Sequence, residues 1–331
     1  MKVVAVTNAL PAPGEASTNP FFTEQVASQV AAGVEVRVVH ADRTGRGQLA
    51  YLGLGRRVRD VVSEEKADLV HALYGGVMAW AVARSLRGTP FVVTFCGNDL
   101  LGEGETPFTR RGHEALGLYC SRRAAEAAAG IVVMTDSFCD ALPDDVDPSR
   151  IRVIPTGIDL ERFVPEDPAA ARARLGWADD RRHVLFPASP TRTEKRFWLA
   201  RQAFELLQQQ SDETLELHCL DGVVRTDVPT WFNASDAVVL TSTHEGSPNA
   251  VKEALACNVP VVSVAVGDVA ERIRGIEGCA LVEPDPDALA DALAAALTVG
   301  RIEGRHAVEP LALDLTAERI DAFYAEILAA A

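Results

Sequence analysis

The stretch "THEGSPNAVKEALACNVPVV", residues 243–262, carries two carboxylates, Glu245 and Glu253, on either side of a short polar run. An apolar helical pattern follows it, and then a run of valines opened by Pro260. The residues just before it, "AVVLTST", read as a strand, so "HEGSPN" is the loop at that strand's end. Ser247 is suited to the N-cap, and Pro248 then falls at the first helical position, where a missing N–H costs nothing. A helix over "PNAVKEALACN" presents orphan backbone donors at its start, and these suit a phosphate. Asn249 and Glu253 are four apart and share one face of that helix. An anion-binding helix start between two hydroxyl-accepting carboxylates matches a phosphate with polyhydroxylated groups on both sides. The competing interpretation makes Glu245 a cap and Glu253 the partner of a surface Lys or Arg. Strand, loop, capped helix and second strand in this order favour the ligand site.

Outward from this stretch, apolar runs alternate with helical patterns along the chain. "KVVAVTNAL", "VEVRVVHAD", "DLVHALYGG", "PFVVTFCGND", "GIVVMTD" and "RIRVIPTGID" form one series. After the charged, Pro-containing "ERFVPEDPAAARARLGWADDRRH" the pattern restarts with "HVLFPAS", "LELHCLDG", "AVVLTST", "VPVVSVAV" and "CALVEP". Continuous apolar strands separated by helices indicate parallel sheets covered on both faces. The expectation is an α/β protein of two tandem Rossmann-like, doubly wound domains facing a cleft. Their expected limits are residues 1–165 and 166–312, with an amphipathic helix at 313–331 packing across the hinge. In such sheets ligands bind beyond the carboxyl ends of the strands.

The bulk numbers agree with two domains: 331 residues, 48% hydrophobic and 24% charged. Lys and Arg total 32 against 47 Asp and Glu, a formal net charge of −15. That balance argues against a general nucleic-acid binder. The six cysteines form no CxxC pair and read as reduced thiols of a cytoplasmic protein. "MKVVAVTNAL" reads as a first strand rather than a signal segment, and no apolar run reaches membrane-spanning length. Neither GxGxxG after a strand nor GxxxxGK[ST] occurs, which disfavours dinucleotide enzymes and P-loop NTPases.

"HEGSPNAVKEALACNVPVV" resembles the E-x7-E signature of family 4 retaining glycosyltransferases of the GT-B fold. "PTGIDLERF" and "ASDAVVLTSTHEGSPN" extend the resemblance, which covers nearly the whole chain. It implies that Glu245 contacts hydroxyls of the donor sugar and that Glu253 holds ribose hydroxyls. It puts the diphosphate against the backbone of Ser247, Pro248, Asn249 and Ala250. Lys195, in "SPTRTEKRF", matches the family's phosphate-binding lysine. The family's arginine just before it is replaced here by "ASP", residues 188–190, so Arg192 or Arg196 is expected to supply the charge. The nucleotide base is expected near Val223. In the first domain "TFCGND" has Cys96 where a histidine is common, with Asn98 and Asp99 facing the cleft. His71 is either a cleft residue or a packed core histidine, and Gly14 is a candidate opening toward phosphate or acceptor.

The resemblance implies transfer of a sugar from a nucleoside diphosphate sugar to an acceptor. Lys195, Glu245 and Asp99 are the expected catalytic group. No cofactor is expected, and no metal, because the helix start and Lys195 neutralise the leaving diphosphate. Rival readings are a nucleotide-sugar epimerase or hydrolase on the same fold and a non-catalytic two-lobed sugar-binding protein. The segment 43–59 holds Arg43, Arg46, Arg56, Arg57 and Arg59 without an acidic residue. It is either a contact for an anionic or lipid-linked acceptor, which would place the protein at a membrane surface, or a helix with a solvated arginine face.

Overall fold

The computed structural model describes residues 1–8, 20–45, 47–102 and 111–331. Gly14 and Arg46 lie outside the described residues. The chain divides into two compact units, one comprising Met1–Gly157 and Leu313–Ala331 and the other Ile158–Ala312.

The first unit holds a parallel sheet of six strands: β1 (Lys2–Thr7), β2 (Glu35–His40), β3 (Leu69–Ala72), β4 (Phe91–Phe95), β5 (Gly130–Val133) and β6 (Ile151–Val153). Their order is β2-β1-β3-β4-β5-β6. The chain winds one way from β1 to β2 and the other way from β3 onward, so the switch point lies between β1 and β3. β3, β4 and β5 are buried at every position, as strands covered on both faces must be.

The second unit has β7 (Arg182–Phe186), β8 (Leu215–Cys219), β9 (Ala237–Leu240), β10 (Val261–Val264) and β11 (Ala280–Val282) in the order β11-β10-β9-β7-β8. Side-chain alternation divides its core into two. Leu185, Val238, Leu240 and Val261 pack with the helices Val228–Ala234 and Asn249–Ala256. Val184, Phe186, Val239 and Val262 pack with Phe197–Gln210 and Pro286–Val299. Here the switch point lies between β7 and β9.

The first unit ends at Gly157 rather than at residue 165. Ile158 pairs with the 311–312 segment, and Phe163 lies at the centre of the second core, so the intervening residues fold with the second unit. Asp167 then caps the helix Pro168–Leu175 by accepting the Ala170 N–H, with Pro168 inside the first turn.

The terminal helix Leu313–Ala330 belongs to the first unit. Ile320, Phe323, Tyr324 and Ile327 enter its core, and Gly130 at the start of β5 makes room for them. A Cβ on Gly130 would lie 2.4 Å from Ile327 and 2.7 Å from Phe323. His71 on β3 is fully buried against this helix, which makes it the packed core histidine of the two alternatives and not a cleft residue. Its Nδ1 shares a hydrogen bond with the Tyr324 hydroxyl at 2.5 Å and its Nε2 one with Thr94 Oγ1 at 2.6 Å. Burial lowers its pKa to about 3.

A histidine whose pKa is lower folded than unfolded binds fewer protons in the native state, so its contribution to stability is lost as pH falls from about 6.5 toward 3. In urea titrations over this window, His71→Asn should flatten the pH dependence by up to about 1.4 kcal/mol per pH unit relative to wild type. Parallel curves for the two proteins would contradict a buried neutral histidine. Phe323→Ala should cost about 3–5 kcal/mol of first-unit stability in the same assay.

Candidate donor site and cavity

The site in the second unit is built at the β7/β9 switch point from the loops that follow those strands. The turn Thr193–Lys195 leads into Arg196, whose φ of 49° is rare for a side-chain-bearing residue. The conformation aims the guanidinium at the end of β9. Nε donates to the Thr241 carbonyl at 2.5 Å and Nη2 to the Ser242 carbonyl at 3.0 Å. In return the Thr241 hydroxyl donates to the carbonyls of Lys195 at 2.8 Å and Arg196 at 3.1 Å. Arg196 therefore straps loop to loop, which corrects its expected place as a donor contact. Arg192 is mostly exposed and pairs with Glu194 at 2.6 Å.

Strapping the two loops sets Lys195 beside Glu245. The ammonium pairs with Glu245 Oε1, which also accepts the Ser242 hydroxyl at 2.7 Å. Both side chains are nearly buried, at 15% and 16% exposure, so solvent screens this pair weakly.

The helix after Glu245 spans Asn249–Ala256 with Pro248 at its N-cap, one residue later than the sequence implied. Ser247 does not cap it. The Ser247 hydroxyl donates instead to Asp268 Oδ2 at 2.8 Å, on the loop after β10. The Asp268 N–H donates to the Gly246 carbonyl at 3.1 Å, and Arg272 Nε donates to Asp268 Oδ2 at 3.0 Å. The approach is close because residue 267 is glycine: a Cβ there would lie 2.0 Å from the Gly246 oxygen, and its φ is +52°. Lys252, on the helix's second turn, is fully buried with its ammonium 3.2 Å from Ser247 Oγ. Burial lowers its pKa to about 8, opposed by the charges of Asp268 and Glu253.

Glu253 lies one turn in from the helix start, is 5% exposed, and accepts from Arg225 Nη1 at 2.6 Å. Arg225 also sits 4.8 Å over the Phe163 ring. The sequence reading passed over Arg225, in "VVRTDV", because nothing local shows that it reaches a carboxylate 28 positions on. Lys252 escaped notice for the opposite reason: a lysine in a helical pattern reads as solvated. Val223 is partly buried and packs against the second core, as Leu220 and Trp231 do. Ala250 packs against the same core.

The first unit has a cavity of about 540 Å³ at its own switch point, lined among others by Asn8 after β1, Tyr74 after β3, and Arg43, Tyr51, Asn98 and His113. Asp99 also lines it, but its carboxylate is not free to bind sugar as the sequence implied. It accepts the N–H groups of Gly75 at 2.8 Å, Gly97 at 2.9 Å and Cys96 at 3.0 Å. It joins the turns after β3 and β4 and shapes the cavity wall. Burial raises its pKa to about 6 against the pull of those donors. The Cys96 thiol is held well above its ordinary value by burial and by Asp99, the opposite of an activated nucleophile. Of the arginine-rich segment, Arg43 reaches the cavity. Arg56 is solvated with Asp60 at 3.9 Å, and Arg57 donates to the His40 carbonyl, both from the helix Leu54–Glu65.

Two family models match the two units. "Glycosyltransferase Family 4" covers residues 5–162 and "Glycosyl transferases group 1" covers residues 183–298. The chain belongs to the family 4 glycosyltransferases of the GT-B fold. Among curated relatives, a protein of a Nocardioides species named D-inositol 3-phosphate glycosyltransferase is 29% identical over 79% of this chain and 68% of its own length. One of the same name from Frankia alni is 31% identical over 68% of this chain and 64% of its own length. The chain thus spans about two thirds of the length of these relatives. Among solved structures, sucrose-phosphate synthase from Thermosynechococcus elongatus superposes with a TM-score of 0.82 at 18% identity, covering 100% of both chains. Anabaena HepE in complex with UDP-glucose superposes with a TM-score of 0.66 at 17% identity, again over 100% of both. Among the described residues no helix is long and apolar enough to cross a membrane.

Gly267→Ala should push the Gly246 carbonyl off its position and cost about 1–3 kcal/mol of second-unit stability. Unchanged urea midpoints would show that the loop relaxes freely.

Proposed function

We propose that the protein moves a sugar from a nucleoside diphosphate sugar to an acceptor, with retention at the anomeric carbon and without a metal ion. The observation that carries this is the placement of Lys195, Glu245 and Glu253 around one helix start at the second unit's switch point. Positive charge sits where a diphosphate needs it: Lys195 on one loop, buried Lys252 behind the Ser247 turn, and the helix dipole between them. The two carboxylates differ in depth, and this suits them to two sugars. Glu253, held by Arg225, takes the ribose hydroxyls, and Glu245, at the loop edge, takes the transferred sugar. Before donor arrives Glu245 neutralises Lys195. A diphosphate then draws the ammonium to itself and frees the carboxylate to accept a hydroxyl. Charge on the leaving diphosphate grows in the transition state, so Lys195 acts mainly there. The binding of UDP-glucose by HepE, which shares the fold, makes UDP the first nucleotide to test.

The acceptor is read from the first unit. Arg43 in the cavity supports an anionic acceptor, and the inositol phosphate in the relatives' name is of that class. The six unpaired cysteines support a reducing, cytosolic setting.

In a thermal-shift series with EDTA present, one nucleoside diphosphate should raise Tm by mass action. A shift seen only with added Mg²⁺ or Mn²⁺ would overturn metal-free donor binding. Glu253→Ala should weaken nucleotide binding and leave the fold intact. Lys195→Ala should lower turnover roughly 100-fold with a smaller change in nucleotide affinity. Wild-type turnover in Lys195→Ala would remove the charge-stabilising role assigned to it, and sugar release without any acceptor would favour hydrolysis.

A further inference from the structure

Away from the switch point, on the strand bodies of β7 and β8, three ligand-type side chains converge. Glu216 and His218 are two apart on β8 and share a face. The register sets His183 of β7 opposite Glu216 on that same face. His183 Nδ1 lies 2.9 Å from His218 Nε2 and 3.6 Å from Glu216 Oε2, and His218 Nε2 lies 3.5 Å from the same oxygen. Three donors bound tetrahedrally at about 2.0–2.1 Å are separated from one another by about 3.3 Å. The observed triangle is already close to that size.

The surroundings fix each donor. His183 is fully buried, and its Nε2 faces the Ala178 carbonyl at 2.7 Å. A carbonyl can only accept, so Nε2 carries the proton and Nδ1 turns its lone pair toward the other two groups. An outer hydrogen bond of this kind is the usual support of a metal-bound histidine. Glu216 is held through its other oxygen by Arg181 Nη1 at 2.6 Å. The His218 ring is stacked on Trp177 at 3.5 Å and 6°, which sets its plane.

We infer that His183, Glu216 and His218 form a binding site for zinc, with water completing the fourth position. His218 then carries its ring proton on Nδ1 and offers Nε2 to the metal. The ion fastens β8, an edge strand, to β7 and to the turn bearing Trp177 and Ala178. This site is separate from donor binding and would stand if the proposed reaction were wrong.

The test uses tag-free, EDTA-stripped, full-length protein. Calorimetric titration with ZnCl₂ should show one equivalent bound, and Tm should rise with free zinc. Glu216→Gln and His218→Asn, both at partly exposed positions, should each weaken zinc binding by at least about 10-fold with unchanged far-ultraviolet circular dichroism. Co²⁺ added to the wild type should give the intense visible d–d bands of a four-coordinate site. Absence of those bands at saturating cobalt, or equal zinc affinity in wild type and both variants, would overturn the assignment.

Discussion

The candidate donor site depends on the mutual strap between Arg196 and Thr241. Each loop supplies a donor to the carbonyls of the other, and Arg196 adopts a left-handed backbone to take part. A positive φ at a side-chain-bearing residue is unfavourable and persists only where its surroundings over-determine it. Here the result is that the loops after β7 and β9 are tied together, so the backbones bearing Lys195 and Glu245 lie side by side while the two side chains can exchange partners.

The second support is the pair of glycines behind the helix start. Gly267 lets the loop after β10 press its backbone against Gly246, and Asp268 then gathers Ser247 and Arg272. Burying Lys252 beside this group costs desolvation, visible in its lowered pKa, but it brings a positive charge close to the turn at Ser247. Polar groups fixed before ligand arrives need little reorganisation when charge develops.

Much of this was legible in the sequence. The two series of strands are continuous apolar runs, because strands covered on both faces admit little else, and so the two sheets could be read directly. Glu245, Glu253 and Lys195 could be singled out as candidates because the signature is local or nearly so, and the structure pairs two of them, Lys195 and Glu245. What escaped depends on register and burial between distant segments. Arg225 reaches Glu253 across 28 positions, and His71 meets Tyr324 across 253. Asp99 looked like a free cleft carboxylate because its three partners are backbone N–H groups, which carry no residue-type signal. The helix boundary shifted by one residue because Asp268, supplied by another strand's loop, takes the serine hydroxyl that would otherwise cap.

The first unit is assembled from two separated pieces of chain, with the whole second unit inserted between Gly157 and Leu313. A ribosome delivers these in order. The first sheet emerges complete in its strands, yet His71 and the β5 face have no cover until residues 313–331 appear. The inserted unit, contiguous in the chain, has all of its own residues before then. During synthesis the amino-terminal unit therefore waits with an exposed apolar surface until residues 313–331 are made and close it.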